Sequence, residues 1–579
     1  MRKQTVIVLL TLILLLAAGL MIGAMRDESA TVDETCFLGA GYSYWQGHRC
    51  YLDPEHPPLG QLLPALPLTF MELKLPPQGA EIMSGRAVSR TAVPWNGMPM
   101  PTTVLFPQGP DYYYWPLFEN RYFSEAFVYG GQNDAERMLF WGRIPQVILT
   151  LLCGIVVFFW ARRLAGDPAG LLAATLLLLN PVMLAHGHLI QTDAGLALAL
   201  PLAVWMFARF FEEGTRGSAV RAGLVTGLTF SIKYTSIILW PIVLGLAVLY
   251  YWLRRTEAKA SISSWRGWRG WLTIAAVAYA CVLAVYFPNW SPPPPLDTAA
   301  AERLRVPDWF QALRPVMIPR DYFKGLSIIV LDAMHGHESF LNGEWSNLGW
   351  WYYFPAAILM KSSVPFLLAL AVSVIVLVRR VREWRFADWG PWIGAGVYLL
   401  CAMRSKSNLG VRHVLAVFPL LAVAISCALA RGLATVPATC RRLAHGSLVV
   451  LAAGMIAAAG FAYPFYVCYM NEFAGGSANG YNHLLDSAFD WGQDAIRLKK
   501  FLDAHGIQQI FLDYFGTQAA IEYYKIPNRR VNGDTARKIQ QGWLVVSASQ
   551  VMRPEWTWLR ESHRPVTIVA NTMFVYQLP

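Results

Sequence analysis

The sequence predicts a polytopic α-helical membrane protein that ends in a small α/β domain. Of its 579 residues, 55% are hydrophobic and 15% are charged, and the mean hydropathy is +0.36. These values are too apolar for a soluble multidomain protein. Apolar runs alternate with basic segments along most of the chain. The net charge of +11 therefore indicates basic cytoplasmic loops rather than nucleic-acid binding.

Eleven apolar runs are the predicted membrane spans. The first, residues 5–25, follows Arg2 and Lys3 and is longer than the apolar region of a usual signal peptide. No clear cleavage site follows it, so we interpret it as a retained span. The other runs lie at 139–160, 169–187, 192–211, 218–232, 235–253, 270–288, 364–380, 389–403, 411–430 and 447–468.

The basic segments give the predicted orientation, because Lys and Arg collect on the cytoplasmic side of a membrane. With the N-terminus inside, every inner connection is basic, with clusters at 162–163, 209–221, 254–269, 379–385 and 431–442. The same assignment places the loops 26–138 and 289–363 and the C-terminal segment outside. We therefore predict two domains, a transmembrane domain over residues 1–470 and an external α/β domain over residues 471–579.

The external C-terminal domain has a predicted helix followed by strands. DAIRLKKFLDAHG (494–506) has a helical pattern that ends at a glycine. QIFLDYF (509–515), GWLVVSAS (542–549) and TIVANTMFVYQL (567–578) have the composition and alternation of strands.

The stretch CAMRSKSNLGVRHVLAVFPLL (401–421) joins two predicted spans on the outer side, against the charge rule. It carries four potential cations and lies in a region without acids between Asp388 and Glu472; the four are Arg404, Lys406, Arg412 and His413. Lys233 follows a short apolar run and is also predicted near the outer surface. One interpretation is that these side chains extend to lipid headgroups. The other, which we favour, is that they bind a phosphate ligand.

Acidic residues are predicted on the same outer side. Asp33 and Glu34 follow the first span, Glu55 and His56 occur in YLDPEHPPLG, and Asp193 begins the fourth span. A carboxylate beside a phosphate-binding site can deprotonate an incoming hydroxyl while the phosphate leaves, which suits glycosyl transfer from a lipid phosphate. Helix capping is the alternative for Asp33, Glu34 and Asp193.

Several other candidates stay open at this level. His335 and His337 form an H-x-H pair without clear further ligands, which is weak evidence for a divalent metal, so no cofactor is assigned. Asp490 and Asp494, in DSAFDWGQD, fit either acceptor contact or a turn and a helix cap. Cys36 and Cys50 lie in one polar loop, where a disulfide and free thiols are both compatible with the sequence.

An ordered set of motifs carries a family resemblance. TVDET, EHPPLGQLL, HGHESFLNGEWSNLGWWYYFPAAILMKSSVP, NLGVRHVLAVFPLL and GGSANGYNHLLDSAFDWGQD occur in this order. Together they resemble the bacterial polyprenyl-phosphate-dependent glycosyltransferases related to protein O-mannosyltransferases, which have the GT-C fold (family 39). The similarity extends from the first span to about residue 520.

The resemblance implies roles for several of these residues. Asp33, in the D-E pair with Glu34, would be the catalytic carboxylate; Asp193 would support the site; and outer Lys and Arg residues would bind the carrier phosphate. Related aminoarabinose transferases have a phosphate-binding lysine in EKPPLG, where this chain has His56. They also have an arginine two positions after the D-E pair, where this chain has Cys36. The phosphate ligands are therefore expected among Lys233, Arg404 and Arg412, with Lys406 and His413 beside them.

The sequence thus predicts a GT-C glycosyltransferase of a bacterial inner membrane with a periplasmic active site. It would move a sugar from a polyprenyl-phosphate donor to an acceptor hydroxyl on a protein, lipid or glycan, with inversion at the anomeric carbon. A flippase or transporter is one alternative, although its ionisable residues would usually lie near the midplane. A binding or assembly subunit with an inactive site is the other.

Overall fold

The structure is a computed structural model that describes residues 2–77 except 49 and 51, residues 79–83, 115–255 and 264–287, three pairs at 321–322, 325–326 and 328–329, and residues 336–579. His335 lies outside the described residues, as does NWSPPPPLD (289–297), whose four consecutive prolines favour a stiff polyproline segment.

Helices occupy all of the predicted spans, and short helices fill much of the first loop. Before residue 288 the helices are α1 (Lys3–Ala24), α2 (Glu34–Trp45), α3 (Leu59–Ala65), α4 (Gly79–Met83), α5 (Trp115–Tyr129), α6 (Ala135–Ala165), α7 (Asp167–Leu178), α8 (Pro181–His186), α9 (Asp193–Glu213), α10 (Arg216–Phe230), α11 (Leu239–Arg254) and α12 (Trp268–Tyr286). After residue 336 come α13 (Tyr353–Lys361), α14 (Val364–Arg379), α15 (Phe386–Ala402), α16 (Val417–Ala434) and α17 (Arg441–Ala462).

Among the described residues, seven helices are long and apolar enough to cross a membrane, and eight if α13 and α14, bent by 120° at residues 362–363, form one span. The predicted polytopic helical architecture is confirmed. The predicted runs at 169–187, 218–232 and 389–403 hold helices α7 with α8, α10 and α15, which fall short of that length. The number of eleven crossings stays a prediction.

Local sequence explains where the long helices begin and end. Helix α6 begins after Asp134, whose side chain accepts the Arg137 N–H, and it ends at Gly166, which has a φ of +86°. Glycines also allow close packing of α10 and α12. A Cβ at Gly227 would lie 2.6 Å from the Ala278 carbonyl oxygen, so any larger residue would push these two helices apart.

The bend between α13 and α14 is held by buried hydrogen bonds. Lys361 is fully buried and donates to the carbonyl oxygens of Val467 and Ala488, each at 2.7 Å. Asn471 donates from its side chain to the Leu359 and Ser362 carbonyl oxygens. The bend is therefore fixed to the segment that follows the last span.

The two ends of the helical bundle differ in the charged residues that they carry. The connections at one end carry arginines, namely Arg162, Arg163, Arg216, Arg254, Arg255, Arg379, Arg380, Arg382, Arg385, Arg441 and Arg442. We call the opposite end the loop end; it contains residues 25–34, 186–193, 231–238 and 403–416 together with the first loop and the C-terminal domain. The acidic candidates and their partners are at the loop end.

The C-terminal domain packs α18 (Ala495–Ala504) on a five-stranded sheet. Its strands are β3 (Ile510–Asp513), β4 (Asn528–Arg530), β5 (Gly542–Ser547), β6 (Thr567–Val569) and β7 (Met573–Leu578), after a small hairpin of β1 (Ser339–Leu341) and β2 (Glu344–Ser346) in the preceding loop. The strand order is β4-β3-β5-β7-β6, with β3 parallel to β4 and β5 and the other pairs antiparallel. The predicted helix and strands are present; the last predicted strand is a hairpin of β6 and β7.

Candidate active site

Glu34 is buried in a closed ion pair. It is 0% exposed, and its two carboxylate oxygens accept from Arg143 Nε at 2.8 Å and Nη2 at 2.7 Å. The same oxygens accept the backbone N–H groups of Thr31 and Ile190, each at 2.9 Å. Because every carboxylate oxygen already has two donors, we assign Glu34 to positioning, in place of the catalytic role that the sequence suggests.

Arg143 ties this ion pair to the loop before it. Its Nη1 donates to the carbonyl oxygens of Met25 and Glu28, and its Nη2 to that of Ser29, each at 3.0 Å. Arg143 lies within α6, near the start of the predicted span 139–160, and sequence reasoning missed it. A lone arginine in an apolar helix is nevertheless a signal, since such a charge needs a buried partner.

The loop from Ser29 to Val32 is also paired with the start of the C-terminal domain. Ser29 N–H donates to the Gln493 carbonyl oxygen at 3.0 Å, and Val32 N–H donates to that of Trp491 at 3.1 Å. The Ser29 hydroxyl donates to the Gly492 carbonyl oxygen at 3.0 Å. The loop that carries Asp33 is therefore fixed from the bundle side by Arg143 and from the C-terminal side by residues 491–493.

Asp33 differs from its neighbour because its carboxylate is accessible. It occupies the N-cap position of α2 but makes no capping hydrogen bond, so the capping alternative is excluded for this structure. Instead Asp33 Oδ2 accepts from Arg412 Nη1 at 2.9 Å, and the Asp33 side chain is 34% exposed. A carboxylate with an open side, next to a cation, fits the role predicted for Asp33.

Arg412 is held in a defined orientation. Its Nε donates to the Ser487 hydroxyl at 3.1 Å, and its guanidinium stacks over the Trp491 ring at 4.3 Å from the ring centre. With two of its three nitrogens engaged by Ser487 and Asp33, Arg412 can still present Nη2 to a phosphate oxygen.

Lys233 is 8% exposed and pairs with Asp193, whose Oδ1 accepts from Lys233 Nζ at 2.5 Å. Asp193 is the first residue of α9 and Thr192 is its N-cap, so the capping alternative does not apply to Asp193. Asp193 also interacts electrostatically with Arg412 and His413. The structure thus brings Asp33, Arg412, His413, Lys233 and Asp193 into one cluster, and the roles predicted for them stay predictions.

The remaining cations of the 404–413 stretch differ from Arg412. Arg404 and Lys406 precede Arg412 in this loop, and both are solvent-exposed. Burial, followed by the charges of Lys233 and Arg412, lowers the pKa of His413 well below its ordinary value. Burial therefore favours the neutral imidazole of His413, and its predicted role as a phosphate-binding cation stays a prediction. A neutral imidazole can still donate a hydrogen bond.

Glu55 and His56 lie beside Asp53 in the first loop. His56 Nδ1 is 3.3 Å from Asp53 Oδ1, and Gln61 donates to Asp53 Oδ2 at 2.6 Å. Within the described part of the chain, Asp53, Glu55 and His56 form the one group of side chains close enough to share a metal ion, with ligand atoms within 4.8 Å of one another. Carboxylate and imidazole ligands suit a divalent ion, but Asp53 already has two partners. His337 is partly buried and is not a member of this group. Because His335 lies outside the described residues, the H-x-H pair stays an open interpretation.

Asp490 and Asp494 are buried and have structural partners. Asp490 Oδ2 accepts the Ser549 N–H at 2.7 Å, and Asp494 pairs with Arg497 and accepts from Thr572. Of the two open interpretations, the structural one fits both residues. Burial raises the pKa of Asp490 to about 7. Cys36 and Cys50 are free thiols.

Asp486 was missed by the sequence reasoning, although it opens the same motif. It is partly exposed and interacts electrostatically with both Arg412 and Asp33, and burial raises its pKa to about 6. Asp486 and Asp490 are four residues apart in the same motif. Nothing in that spacing indicates that Asp486 lies near Arg412 and Asp33 while Asp490 does not.

Comparisons with known proteins agree with the predicted resemblance. A family model described as dolichyl-phosphate-mannose-protein mannosyltransferase matches residues 136–288. No curated protein sequence matches the chain. Among solved structures, the protein O-mannosyltransferase Pmt1-Pmt2 complex of S. cerevisiae, bound to the sugar donor, matches with a TM-score of 0.52 and 10% identity, over 80% of this chain and 90% of that chain. At this identity the match shows a shared fold, which confirms the predicted fold class.

Two further structures match with lower TM-scores. ArnT from Cupriavidus metallidurans in the apo state has a TM-score of 0.47 and 14% identity, over 98% of this chain and 97% of that chain. AglB from Archaeoglobus fulgidus, an oligosaccharyltransferase in complex with an inhibitory peptide and a dolichol-phosphate, has a TM-score of 0.46 and 14% identity, over 97% and 73%.

Proposed function

We propose that the protein is a membrane glycosyltransferase that moves a sugar from a polyprenyl-phosphate donor to an acceptor hydroxyl with inversion. The observation that carries this proposal is the Asp33–Arg412 pair: an accessible carboxylate held 2.9 Å from an arginine, in a loop fixed by a buried ion pair. The family match over residues 136–288 and the fold shared with a sugar-donor-bound mannosyltransferase complex support it.

The reaction follows from this geometry. Asp33 accepts the proton of the acceptor hydroxyl as its oxygen attacks the anomeric carbon. The bond between that carbon and the phosphate oxygen breaks, and the electron pair leaves with the polyprenyl phosphate. Arg412 stabilises the growing negative charge through its remaining N–H groups, and Lys233, oriented by Asp193, adds a second positive charge. Attack from the side opposite the phosphate inverts the anomeric centre.

One oxygen of Asp33 stays available for the proton. Asp33 Oδ2 accepts from Arg412 Nη1, whereas a phosphate can bind Arg412 through Nη2. Asp33 can therefore accept the proton at Oδ1 while Arg412 holds the donor. Arg404 and Lys406, at the exposed rim, are placed to attract the anionic donor rather than to act on the bond that breaks.

We assign the loop end to the periplasmic face of a bacterial inner membrane, because the arginine-rich connections lie at the opposite end of the bundle. Reporter fusions at residues 215, 260 and 436 are expected to be cytoplasmic, and fusions at 100, 300 and 520 external. A cytoplasmic C-terminus would contradict this orientation and the side of the site. The acceptor is a protein, lipid or glycan on that face.

A deletion strain tests the activity directly. Mass analysis of its lipid extract and surface glycans is expected to show an accumulated polyprenyl-phosphate sugar and the loss of one sugar from an acceptor. The wild-type gene should restore both pools, and a gene for Asp33→Asn should restore neither. If neither pool changes on deletion, the proposed transfer is wrong. Loss of the sugar from the acceptor together with a sugar lipid trapped on the cytoplasmic side would favour a flippase.

A further inference from the structure

A cavity opens at the loop end, where α1 ends, α6 begins and the C-terminal domain packs against both. We call it the α1–α6 cavity; its volume is about 330 Å³, and its walls include Met25, Glu28, Phe140, Arg143, Ile496 and Tyr524. Neither Asp33 nor Arg412 lines it. Sites for small ligands are typically about 300–1,000 Å³, so this cavity has room for a lipid headgroup.

The lengths of the two helices place the cavity at the surface of the bilayer. Helix α1 has 22 residues and is about 33 Å long, close to the roughly 30 Å of the hydrocarbon core, so Arg26 just past its end lies among the headgroups. Helix α6 has 31 residues. Counted back from Arg162 at the opposite end, about 20 residues cross the core, which places Glu136 and Arg137 in the same headgroup layer.

The charged groups of the inner wall are already satisfied. All three nitrogens of the Arg143 guanidinium donate to Glu34 or to backbone carbonyl oxygens. Glu28 Oε2 is 2.7 Å from His188 Nε2, and Glu28 Oε1 is 3.6 Å from Arg497 Nη2. The inner wall therefore supplies shape but no unpaired charge.

The rim of the cavity carries the charges that a ligand can use. Arg26, Glu136 and Arg137 line the cavity and are exposed, and none of the three forms an ion pair with another described residue. Two guanidinium groups bind a phosphate well, and a carboxylate pairs with a primary ammonium. A headgroup that carries both a phosphate and an ammonium would satisfy all three side chains.

We propose that the α1–α6 cavity binds a phospholipid with an ethanolamine headgroup. Arg26 and Arg137 hold its phosphate, and Glu136 holds its ammonium. Its glycerol part lies against Leu139 and Phe140, and its acyl chains follow α1 and α6 into the bilayer. The site is separate from the proposed donor site, and it does not depend on the proposed glycosyl transfer.

Other common headgroups fit these three charges less well. An anionic headgroup whose only charge is its phosphate would leave the Glu136 carboxylate unpaired beside it. A choline headgroup has a quaternary ammonium, which cannot donate a hydrogen bond to Glu136. The rim therefore favours a primary amine next to the phosphate.

A bound lipid would join the helical bundle to the C-terminal domain. Direct contacts already border the cavity: Lys500 Nζ donates to Asp27 Oδ1 at 2.7 Å, and the Tyr523 hydroxyl accepts the Ala135 N–H at 3.2 Å. The lipid fills the space between these contacts. Because it binds the folded protein only, it should raise the Tm.

Lipid titrations of the purified full-length protein test this site. The protein is freed of lipid in dodecyl maltoside, and its Tm is measured as the micelles receive rising mole fractions of dioleoyl phosphatidylethanolamine. We expect a saturable rise in Tm. Dioleoyl phosphatidylglycerol and dioleoyl phosphatidylcholine should need about tenfold higher mole fractions for the same rise, and soluble phosphoethanolamine should have no effect.

Three variants locate the binding. Arg26→Ala/Arg137→Ala should raise the half-saturating mole fraction of phosphatidylethanolamine at least about tenfold, as for the loss of charged hydrogen bonds. Its Tm without lipid should equal that of the wild type, since both side chains are exposed. Glu136→Gln should bind phosphatidylethanolamine and phosphatidylglycerol equally well. The matched control, Arg441→Ala/Arg442→Ala, removes two exposed arginines at the opposite end and should titrate like the wild type.

Four results would overturn the proposal. They are a wild-type Tm that does not respond to phosphatidylethanolamine, an unchanged titration in Arg26→Ala/Arg137→Ala, equal responses of the wild type to all three lipids, and an equal response to soluble phosphoethanolamine. Displacement of bound phosphatidylethanolamine by undecaprenyl phosphate would also overturn it, because the cavity would then belong to the donor site.

Discussion

Asp33 and Glu34 are adjacent in sequence and each pairs with an arginine, yet their surroundings are opposite. The Glu34–Arg143 pair is sealed, with side chains 0% and 1% exposed. The Asp33–Arg412 pair is open, with side chains 34% and 12% exposed. The comparison teaches that the role of a carboxylate depends on how many hydrogen-bond donors already occupy its oxygens. The sealed pair builds the loop, and the open pair is available to react.

The largest expected effect comes from opening the sealed pair. Arg143→Ala leaves Glu34 buried without its cation, and breaking a buried ion pair typically destabilises a protein by about 3–5 kcal/mol. We expect little folded protein in membranes and a strongly lowered Tm in detergent. The matched control is Lys499→Ala, which breaks an exposed pair with Asp503 and should change stability by less than about 1 kcal/mol. A normal Tm for Arg143→Ala would mean that the loop does not depend on the sealed pair.

The open pair should show the reverse pattern, a loss of rate without a loss of stability. Asp33→Asn keeps the size of the side chain but cannot accept the proton, and general-base assistance is worth about 10²- to 10⁴-fold. We expect kcat to fall by that factor while the Tm and undecaprenyl phosphate binding stay close to wild type. Near-normal turnover would show that Asp33 is not the base.

Replacing Arg412 tests the cation of the open pair through its effect on donor affinity. Arg412→Ala removes a charged donor to the phosphate, so donor affinity should fall by about 1.5–3 kcal/mol. Arg412→Lys should recover only part of it, because lysine cannot keep the Ser487 contact and the phosphate contact in one planar group. The double variant Arg404→Ala/Lys406→Ala, at the exposed rim, should lose less affinity, and this smaller loss should vanish at high salt. Equal losses in both variants would move the phosphate site outward.

Asp490 gives a further test with a smaller expected effect, since it is buried like Glu34 but has no cation partner among the described residues. Its folded-state pKa of about 7 lies above the ordinary value. Ionisation of Asp490 therefore costs stability in the folded state, and this cost grows as the pH rises from about 4 to about 7. Relative to Asp490→Asn, the wild type should lose stability over that window. Thermal unfolding of both proteins from pH 4.5 to 8 measures the difference; parallel curves would contradict the pKa shift.

The helical architecture was predictable because the signal is local. Each span is an apolar run, and each inner connection is basic, so the order of helices and the grouping of charged residues at one end follow from composition alone. The C-terminal helix was equally clear, since the glycine at 506 adopts a φ of +65° just past its end. The turn between β6 and β7 was missed because Ala570 and Asn571 take positive φ angles without a glycine to signal them.

The sequence predicted several members of the candidate site but not their different roles, and it missed Arg143 and Asp486. Charges at the outer side identified Asp33, Lys233, Asp193 and Arg412, because each is costly in that environment without a partner. Which carboxylate is sealed depends on Arg143, more than a hundred residues away, and on two backbone N–H groups. The neutral form of His413 is favoured by its burial beside two cations. These are tertiary effects that no local pattern records.

The pairing of the Asp33 loop with residues 491–493 has a consequence for how the protein is made. The Ser29 hydroxyl and the Gly492 carbonyl that it contacts are 463 positions apart in the chain. At a synthesis rate of about 5–20 residues per second, the first partner waits roughly 20–90 s for the second. During that time the loop that carries Asp33 is held from the bundle side by Arg143 and lacks its partners at residues 491–493. We expect a chain truncated before residue 491 to insert its spans but to leave this loop without its second set of contacts, so completion of the last segment would act as a checkpoint for assembly of the site.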